Sequence, residues 1–510
     1  MSRESGKNIE LEKKEKTNIF KDGIVRLSPH PPPSPFRRIL RAFILLAAFS
    51  IGSFFLIKIL PFNSIFTPFF HVYSRVYTKV IEPLVDPSEK ILIFAPHPDD
   101  EILACAGVIQ QAVAAGKTVK VVFITSGDSF GAGYAGQKGE PNDIQKIELG
   151  YLRQSEAAEA AQILGLSKEN IIFLGYPDRG MDKMWWVYRS CEKTFLSPYT
   201  KRDTSPYLSS FTISSPYCGD QVVQDMEEIL DSFKPGTIYL PHPADLHSDH
   251  HATYCFVKEA LEKMREKGSP WVQNVHEYLY LVHFGRMKWP PLWGYDPRSW
   301  LYPPSQLLAT RNWTGIDRTD HEINKKKDAV ERYRSQELIM DSLLAFVKRN
   351  ENFAIDVNYS LPPQGKVVIP DSRNEFTVSR MVGGGDLRQM EVERNQENIT
   401  LRLFFDSGIP LRARYRFYLV GYRDGQLIFR ESYLILEEKR VVKIQGDYID
   451  PPPVVSRGEG FIALTFRFDP RPLPAAIFVS ADSSLQLNYI LDRLPWSLVT
   501  VEPDRSDILP

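Results

Sequence analysis

Cysteine is scarce in this chain. Four occur in 510 residues, at positions 105, 191, 218 and 255, and none has the spacing of a zinc finger. Net charge is lacking as well: 62 Lys and Arg stand against 63 Asp and Glu, a formal balance of −1. A general nucleic-acid binder needs an excess of basic side chains to neutralise phosphates, so no nucleic-acid partner is expected. Residues 1–38 lack a hydrophobic pattern. With Lys13, Lys14, Lys16 and the prolines from Pro31 to Pro33, they read as a disordered tail. Histidine is sparse too, ten in all, which makes its placement informative.

Four of those ten fall within ten residues. The apolar run Thr237 to Leu240 leads into Pro241-His242-Pro243-Ala244-Asp245-Leu246-His247-Ser248-Asp249-His250-His251. A second polar cluster has the same setting: the run Ile91 to Ala95 ends in Pro96-His97-Pro98-Asp99-Asp100-Glu101. Both runs read as buried strands, and helical patterns follow at Ile102 to Ala114 and Ala252 to Lys263. The clusters therefore leave the C-terminal ends of strands on one edge of one sheet, where open α/β sheets bind ligands. Acids that cap a helix would explain the first cluster alone, but not both together. His, Asp and Glu are the side chains that hold Zn²⁺ or another divalent metal. A catalytic ion needs about three protein ligands and an open position. His97, one of Asp99 or Asp100, and His250 supply such a set. The remaining acid is then placed to act as general base, and His247 to donate to an oxyanion or protonate a leaving group.

These segments resemble the PIG-L/LmbE-like N-acetylglucosaminyl deacetylase family. The resemblance rests on His97-Pro98-Asp99-Asp100-Glu101 and on His247-Ser248-Asp249-His250, where the family usually has proline at the second position. It is supported in family order by Arg153 with Glu156, by Phe173 to Asp178, and by Tyr333-Arg334-Ser335-Gln336, and it spans roughly Glu89 to Phe353. It implies that His97, Asp100 and His250 bind zinc and that Asp99 is the general base. It further implies that His247 stabilises a tetrahedral intermediate, that Asp249 orients this histidine, and that Arg153 helps bind substrate or the oxyanion. Asp178 is read as an acceptor for a sugar hydroxyl. Fe²⁺ or another divalent ion suits two histidines and a carboxylate as well as zinc does.

Arg37, Arg38 and Arg41 precede the apolar run Ala42 to Ile57, which continues past Lys58 to Leu60. A bilayer span takes about 20 apolar residues, and this segment reaches that length if Lys58 snorkels. The basic flank puts the N-terminus in the cytoplasm and the remainder across the membrane. That orientation points to a bacterial-type, extracytoplasmic enzyme, since the eukaryotic PIG-L branch keeps its catalytic domain cytosolic. A cleaved signal peptide fits less well, because no small-residue cleavage site follows the run.

Beyond the spacer the chain alternates strand and helix. Strands are expected at Ile91–Ala95, Val119–Thr125, Asn170–Leu174, Thr237–Leu240 and Tyr278–His283, with helices at Ile147–Leu164 and Lys325–Asn350. The turn Thr125 to Asp128 is expected near the site, to bond substrate hydroxyls or cap itself. Gly180 to Asp220 reads as an aromatic-rich insertion, either a substrate lid or a loop packed by its own rings. Cys191 and Cys218 bracket most of it and pair if that side is oxidising. Cys105 and Cys255 read as buried free thiols. Pro290 to Arg311 is expected along the site rim. From about Gly365 the pattern becomes alternating, with Asp424-Gly425 as a hairpin signal, and reads as a sandwich of about seven strands that binds glycan or packs.

The expected organisation is a tail (1–38), a transmembrane helix (39–60), a juxtamembrane spacer (61–87), a Rossmann-like α/β catalytic domain with a mostly parallel sheet (88–360) and an all-β sandwich-like domain (365–510). The expected function is a membrane-anchored zinc-dependent N-deacetylase acting on an N-acetylglucosamine-type sugar in a glycan, glycolipid or lipid-linked saccharide. A deacylase of another amide, such as a small or antibiotic-like glycoside, and a glycan-binding or assembly protein without turnover are the alternatives. The sequence leaves the oligomeric state open.

Overall fold

The computed structural model describes residues 82–84, 88–131, 141–284, 289–290, 294–372, 385–406, 413–436, 440–446, 449, 452–469, 471–485 and 489–503. The expected tail, transmembrane helix and most of the spacer lie outside these residues. Among the described residues no helix is long and apolar enough to cross a membrane.

The first sheet has eight strands: β1 (Glu82–Pro83), β2 (Lys90–Ala95), β3 (Thr118–Thr125), β4 (Ile171–Tyr176), β5 (Thr237–Pro241), β6 (His276–Tyr280), β7 (Trp313–Asp317) and β8 (Asn350–Ile355). They stand in the order β1-β7-β8-β6-β5-β2-β3-β4. Strands β6, β5, β2, β3 and β4 run parallel. Their sequences are near-continuous apolar runs, because helices cover both faces of a parallel sheet. Ile91 to Ala95 are wholly buried, as are Ile238 to Leu240. From β2 the chain first builds outward through β3 and β4, then returns to place β5 on the other side of β2. The loops leaving β2 and β5 therefore flank a topological switch point, the usual place for a ligand crevice.

The helices are α1 (Asp100–Ala114), α2 (Asp143–Ile163), α3 (Met181–Trp186), α4 (Gly219–Phe233), α5 (Ser248–Glu266), α6 (Asp320–Val330) and α7 (Met340–Leu344). α4 shows how such a helix is specified: Val222, Val223, Met226, Ile229, Leu230 and Phe233 recur at helical spacing and are all buried.

The sheet is mostly parallel, as expected, though mixed, since β8 runs antiparallel to both β6 and β7. One expectation needs correction: the expected helix Lys325–Asn350 is broken. It ends at Val330, passes through a 3-10 segment at Arg334–Ile339 with Gln336 in non-helical geometry, restarts as α7, and gives way to β8 at Asn350. Side chains of the intervening residues are tied to other elements: Tyr333 to Glu101, Ser335 to Glu156 and Gln336 to Asp99. Those bonds turn the chain where helical periodicity alone would carry it on. Within the expected spacer, Glu82 and Pro83 pair in parallel with β7.

The remaining strands are β9 (Tyr359–Leu361), β10 (Gln364–Pro370), β11 (Leu387–Asn395), β12 (Asn398–Phe405), β13 (Arg414–Arg423), β14 (Gln426–Leu436), β15 (Arg440–Gln445), β16 (Val454–Gly458), β17 (Phe461–Arg467), β18 (Ala476–Leu485) and β19 (Tyr489–Val501). They form a five-stranded sheet, β10-β11-β12-β17-β16, and a six-stranded sheet, β15-β14-β13-β18-β19-β9. Leu401, Leu464, Phe417, Tyr433 and Val479 belong to the core between them. Asp424 and Gly425 both have positive φ and join β13 to β14, as a tight hairpin requires.

The six-stranded sheet is apolar on both sides. In β13, Tyr415, Phe417 and Leu419 face the sandwich core, while Val420 and Tyr422 belong to the hydrophobic core of the α/β part, with Ala476, Phe478, Trp496 and Leu498. Trp185 of α3 meets Phe478 and Trp496 edge-on, with ring centroids 5.3 and 6.1 Å apart. Arg189 forms a buried ion pair with Glu259 of α5, whose other bond comes from the Tyr422 hydroxyl at 2.9 Å. The packing role expected of the β domain is thus present.

Candidate active site

Apolar strand ends and proline-stiffened loops bring the two polar clusters face to face. Nε2 of His250 lies 3.1 Å from Oδ2 of Asp100 and 3.3 Å from Nδ1 of His97, and the His97 nitrogen lies 3.3 Å from the same Asp100 oxygen. Three donors thus form a nearly equilateral triangle. A tetrahedral ion with bonds of about 2.0–2.1 Å separates its ligands by about 3.3 Å, so the triangle has the dimensions of one face of a zinc site. The charge also fits a cation. Asp99, Asp100, Asp178, Asp245 and Asp249 are all buried here, with Arg153 the guanidinium set against them. Such a concentration of carboxylates suits a bound cation. Closely spaced potential ligand atoms also include those of His247 with His97 and His250, and of Asp245 with His250 and His283.

Each histidine is held from behind. Oδ2 of Asp249 lies 3.2 Å from Nε2 of His97, and Oδ1 of Asp178 lies 3.4 Å from the same nitrogen. Burial works against a charge on His97, but Asp100, Asp178 and Asp249 outweigh it and raise its pKa. Asp245 stands 3.2 Å behind Nδ1 of His250. Burial again disfavours the charge, and Asp100 with Asp245 lifts His250 to about 10. Carboxylates in this outer position orient ligating histidines and raise their basicity.

Asp99 has φ 141° and ψ −30°, a costly backbone conformation for a residue with a Cβ. Its N–H donates to Glu101 at 3.1 Å, and Glu101 in turn accepts the Tyr333 hydroxyl. Burial is the main cause that lifts Glu101 to about 8. Oδ2 of Asp99 accepts from Gln336 at 2.5 Å and from Arg153 at 3.2 Å. Burial and then Asp100 raise the Asp99 pKa, while Arg153, His97 and Gln336 pull it down.

Arg153 also donates to the Pro98 carbonyl at 2.7 Å and to the Gly127 carbonyl at 3.0 Å. It therefore clips the loops after β2 and β3 together while lining the cavity. Gly127 has φ +65°, and a Cβ there would sit 2.0 Å from the guanidinium. The hydroxyl and carboxylate of the Thr125 to Asp128 turn are used within the protein: Thr125 donates to Pro96 O, and Asp128 accepts from Tyr207.

His247 caps the N-terminus of α5. Its Nδ1 accepts the Asp249 backbone N–H at 3.3 Å, so in the neutral ring the proton is on Nε2. Burial, with the nearby histidines next, lowers its pKa to about 2, which keeps the ring neutral.

The structure brings His97, Asp99, Asp100, Arg153, Asp178, His247, Asp249 and His250 into one site. One partnership differs from expectation. The carboxylate of Asp249 bonds to His97 and to the N–H groups of Arg179 (2.6 Å) and Met181 (3.1 Å), while its backbone meets the His247 ring. As the second residue of α5 it points across to the β4–α3 turn. Asp178 joins it behind His97. Sequence reasoning gave no role to Asp245, Glu101 or Tyr333. Their signal was position within the motifs, where each was one acid or aromatic among several.

A cavity of about 510 Å³ is lined by His97, Asp99, Asp100, Arg153, Asp178 and His247 of this site. None of the expected lid aromatics, Trp185, Trp186, Tyr188, Phe195, Tyr199, Tyr207, Phe211 or Tyr217, is among the described residues that line it. Trp185 and Trp186 pack on the β domain, and Tyr207 and Tyr217 bond within the α/β part. The insertion is closed by a Cys191–Cys218 disulfide, and Cys105 and Cys255 are buried free thiols. The cavity's aromatic lining comes from Phe130, Phe284, Trp289 and Phe346.

Residues 92–261 match the family model described as PIG-L: GlcNAc-PI de-N-acetylase, and the chain carries a PIG-L domain there. Similar solved structures include N,N'-diacetylchitobiose deacetylase from Pyrococcus horikoshii, at 20% identity and TM-score 0.34, covering 58% of this chain and 94% of that one. The conserved protein TT1542 from Thermus thermophilus is 21% identical with TM-score 0.33, covering 52% and 94%. GalB, the 4-carboxy-2-hydroxymuconate hydratase from Pseudomonas putida, is 16% identical with TM-score 0.33, covering 50% and 83%.

Proposed function

We propose that this chain is a metal-dependent N-deacetylase that hydrolyses the acetamide of an N-acetylglucosamine-type sugar in a glycan, glycolipid or lipid-linked saccharide. The observation that carries the reading is the triangle of His97, Asp100 and His250 donors beside the strained, bridged carboxylate of Asp99. Those three residues would hold the ion, proposed as Zn²⁺, with Fe²⁺ suited to the same donors. When bound, such an ion supplies Lewis acidity for an amide carbonyl and for water.

The chain's own groups do the rest. Oδ2 of Asp99 is committed to Gln336 and Arg153, which leaves Oδ1 to take the proton of the attacking water. Burial and Asp100 raise the Asp99 pKa, which suits a carboxylate that must accept a proton, and Arg153 moderates that rise. Nε2–H of neutral His247 donates to the oxyanion that develops on the carbonyl. The proton gathered by Asp99 then passes to the leaving amine. Asp178, Asp245 and Asp249 act through the histidines as positioning residues.

We also place the catalytic domain outside the cytoplasm, tethered by residues 39–60. The basic flank of the apolar run supports that orientation, and the Cys191–Cys218 disulfide suits an oxidising compartment.

The test is amine release from N-acetylglucosamine glycans by the zinc-loaded full chain in detergent, beside Asp99→Ala. Release by the parent that drops by at least a hundredfold in the variant, with zinc content equal, is the expected result. No release from any glycan by protein shown to hold zinc would refute the reading.

A further inference from the structure

The cavity lining differs on the two sides of the donor triangle. Asp178 lies 3.4 Å from one nitrogen of His97 and accepts the Ser129 N–H at 3.2 Å, with Phe130 and Arg179 beside these residues in the lining. On the other side of the triangle, Asp245 and His283 stand next to His250, and the chain continues into an apolar end lined by Val282, Phe284, Trp289, Ile339, Leu343 and Phe346. Trp289 and Phe346 meet edge to face at 5.6 Å. The indole N–H of Trp289 is spent on the Tyr302 carbonyl at 2.7 Å, so it offers no donor to a ligand. Ser342 is the hydroxyl nearest this group in sequence.

We infer that the site accepts, beyond acetyl, longer N-acyl groups and favours them, a medium-length apolar chain seating against those six side chains. The inference rests on the amide-hydrolysis reading and adds the acyl class to it. A volume of about 510 Å³ is in the range of drug-sized ligands, about 300–1,000 Å³. An acetyl methyl leaves most of the apolar end without a partner. A longer chain displaces water from it, while the sugar hydroxyls face Asp178, Arg179 and Ser129. In the reaction, water adds to the acyl carbon and the C–N bond breaks. The acyl chain departs as its carboxylate, and the sugar nitrogen keeps the bonding pair and gains a proton.

The experiment uses the zinc-loaded full chain and a series of N-acetyl, N-butanoyl, N-hexanoyl and N-octanoyl glucosamine. The expected result is a rise in kcat/KM of up to about fourfold per buried methylene, reaching about ten- to a hundredfold before it levels off. Leu343→Trp should shorten the optimal chain and Leu343→Ala should lengthen it. Opposite shifts of the optimum cannot come from general destabilisation. Binding of the same series to chelator-treated protein, followed calorimetrically, should strengthen with chain length. Acetyl cleaved best, with longer chains slower and not bound more tightly, would overturn the inference and leave the deacetylase reading standing. Chain-length-dependent binding without turnover of any member would sustain the apolar subsite and overturn the hydrolysis reading instead.

Discussion

Several contacts of the site converge on Asp245, and Asp245→Asn tests whether it organises the site. Oδ1 accepts the His247 N–H at 3.0 Å; Oδ2 accepts the N–H groups of Val282 and His283 at 3.0 and 2.9 Å and stands 3.2 Å from Nδ1 of His250. Asparagine keeps the shape but replaces one oxygen with an NH₂ group. Whichever oxygen is replaced, at least one backbone N–H then faces a donor and loses its partner. Such a loss costs about 1–3 kcal/mol. The change also removes one of the two carboxylates that hold the His250 pKa near 10. Loss of a group that orients a ligating histidine lowers metal affinity by about 10–100-fold. The expected outcome is a fall of about 2 kcal/mol in urea unfolding of the chelated protein, together with a 10–100-fold weaker zinc affinity in competition with a chromogenic chelator. A variant that unfolds within about 0.5 kcal/mol of the parent and binds zinc equally well would refute the reasoning.

Gly127→Ala would place a methyl where the Arg153 guanidinium lies and impose φ +65° on alanine. It should cost about 2–4 kcal/mol and lower amine release at least tenfold, while parent-like unfolding and activity would show that Arg153 is not the clip described. Acid should also destabilise the protein through His242. Burial, then Arg311, depresses this histidine to about 3, so the unfolded chain takes up its proton near pH 6.5 and the folded protein does not. The contribution is complete above about pH 6.5 and lost as pH falls toward 3, worth up to about 5 kcal/mol. Unfolding midpoints from pH 7.5 to 4.5 should fall less steeply in His242→Asn than in the parent; parallel profiles would contradict it.

The edge that carries the candidate site was legible because two apolar runs each end in a dense His/Asp cluster, and β2 and β5 then pair side by side. What sequence could not supply is which carboxylate stands behind which histidine. Asp249 is two residues from His247, yet the start of α5 aims its side chain at His97. Asp245 looks like one acid among several until the chain after β6 brings Val282 and His283 against it. Strands β7 and β8 escaped because WTGID and NENFAI are short and lack alternation. The helical pattern of the sequence continues past Val330, where tertiary bonds from Tyr333, Ser335 and Gln336 override it. The β domain was visible in its alternation, though the described residues form eleven strands in two sheets rather than the expected seven; β11 and β12, for example, are joined through Gln396-Glu397 without a Gly or Asp marker.

The shared apolar face between α3 and the six-stranded sheet gives the β domain a place in the chemistry that its distance in sequence hides. α3 is a single short helix with one duty at each end. At its last residues, Trp185 and Trp186 are gripped by Phe478, Tyr418 and Trp496, and Arg430 bonds to the Trp186 carbonyl at 2.8 Å. At its first residue, the Met181 N–H holds Asp249, which holds His97. The sandwich is thus a buttress, two side chains removed from His97, and a chain cut before β9 would leave α3 braced at one end only.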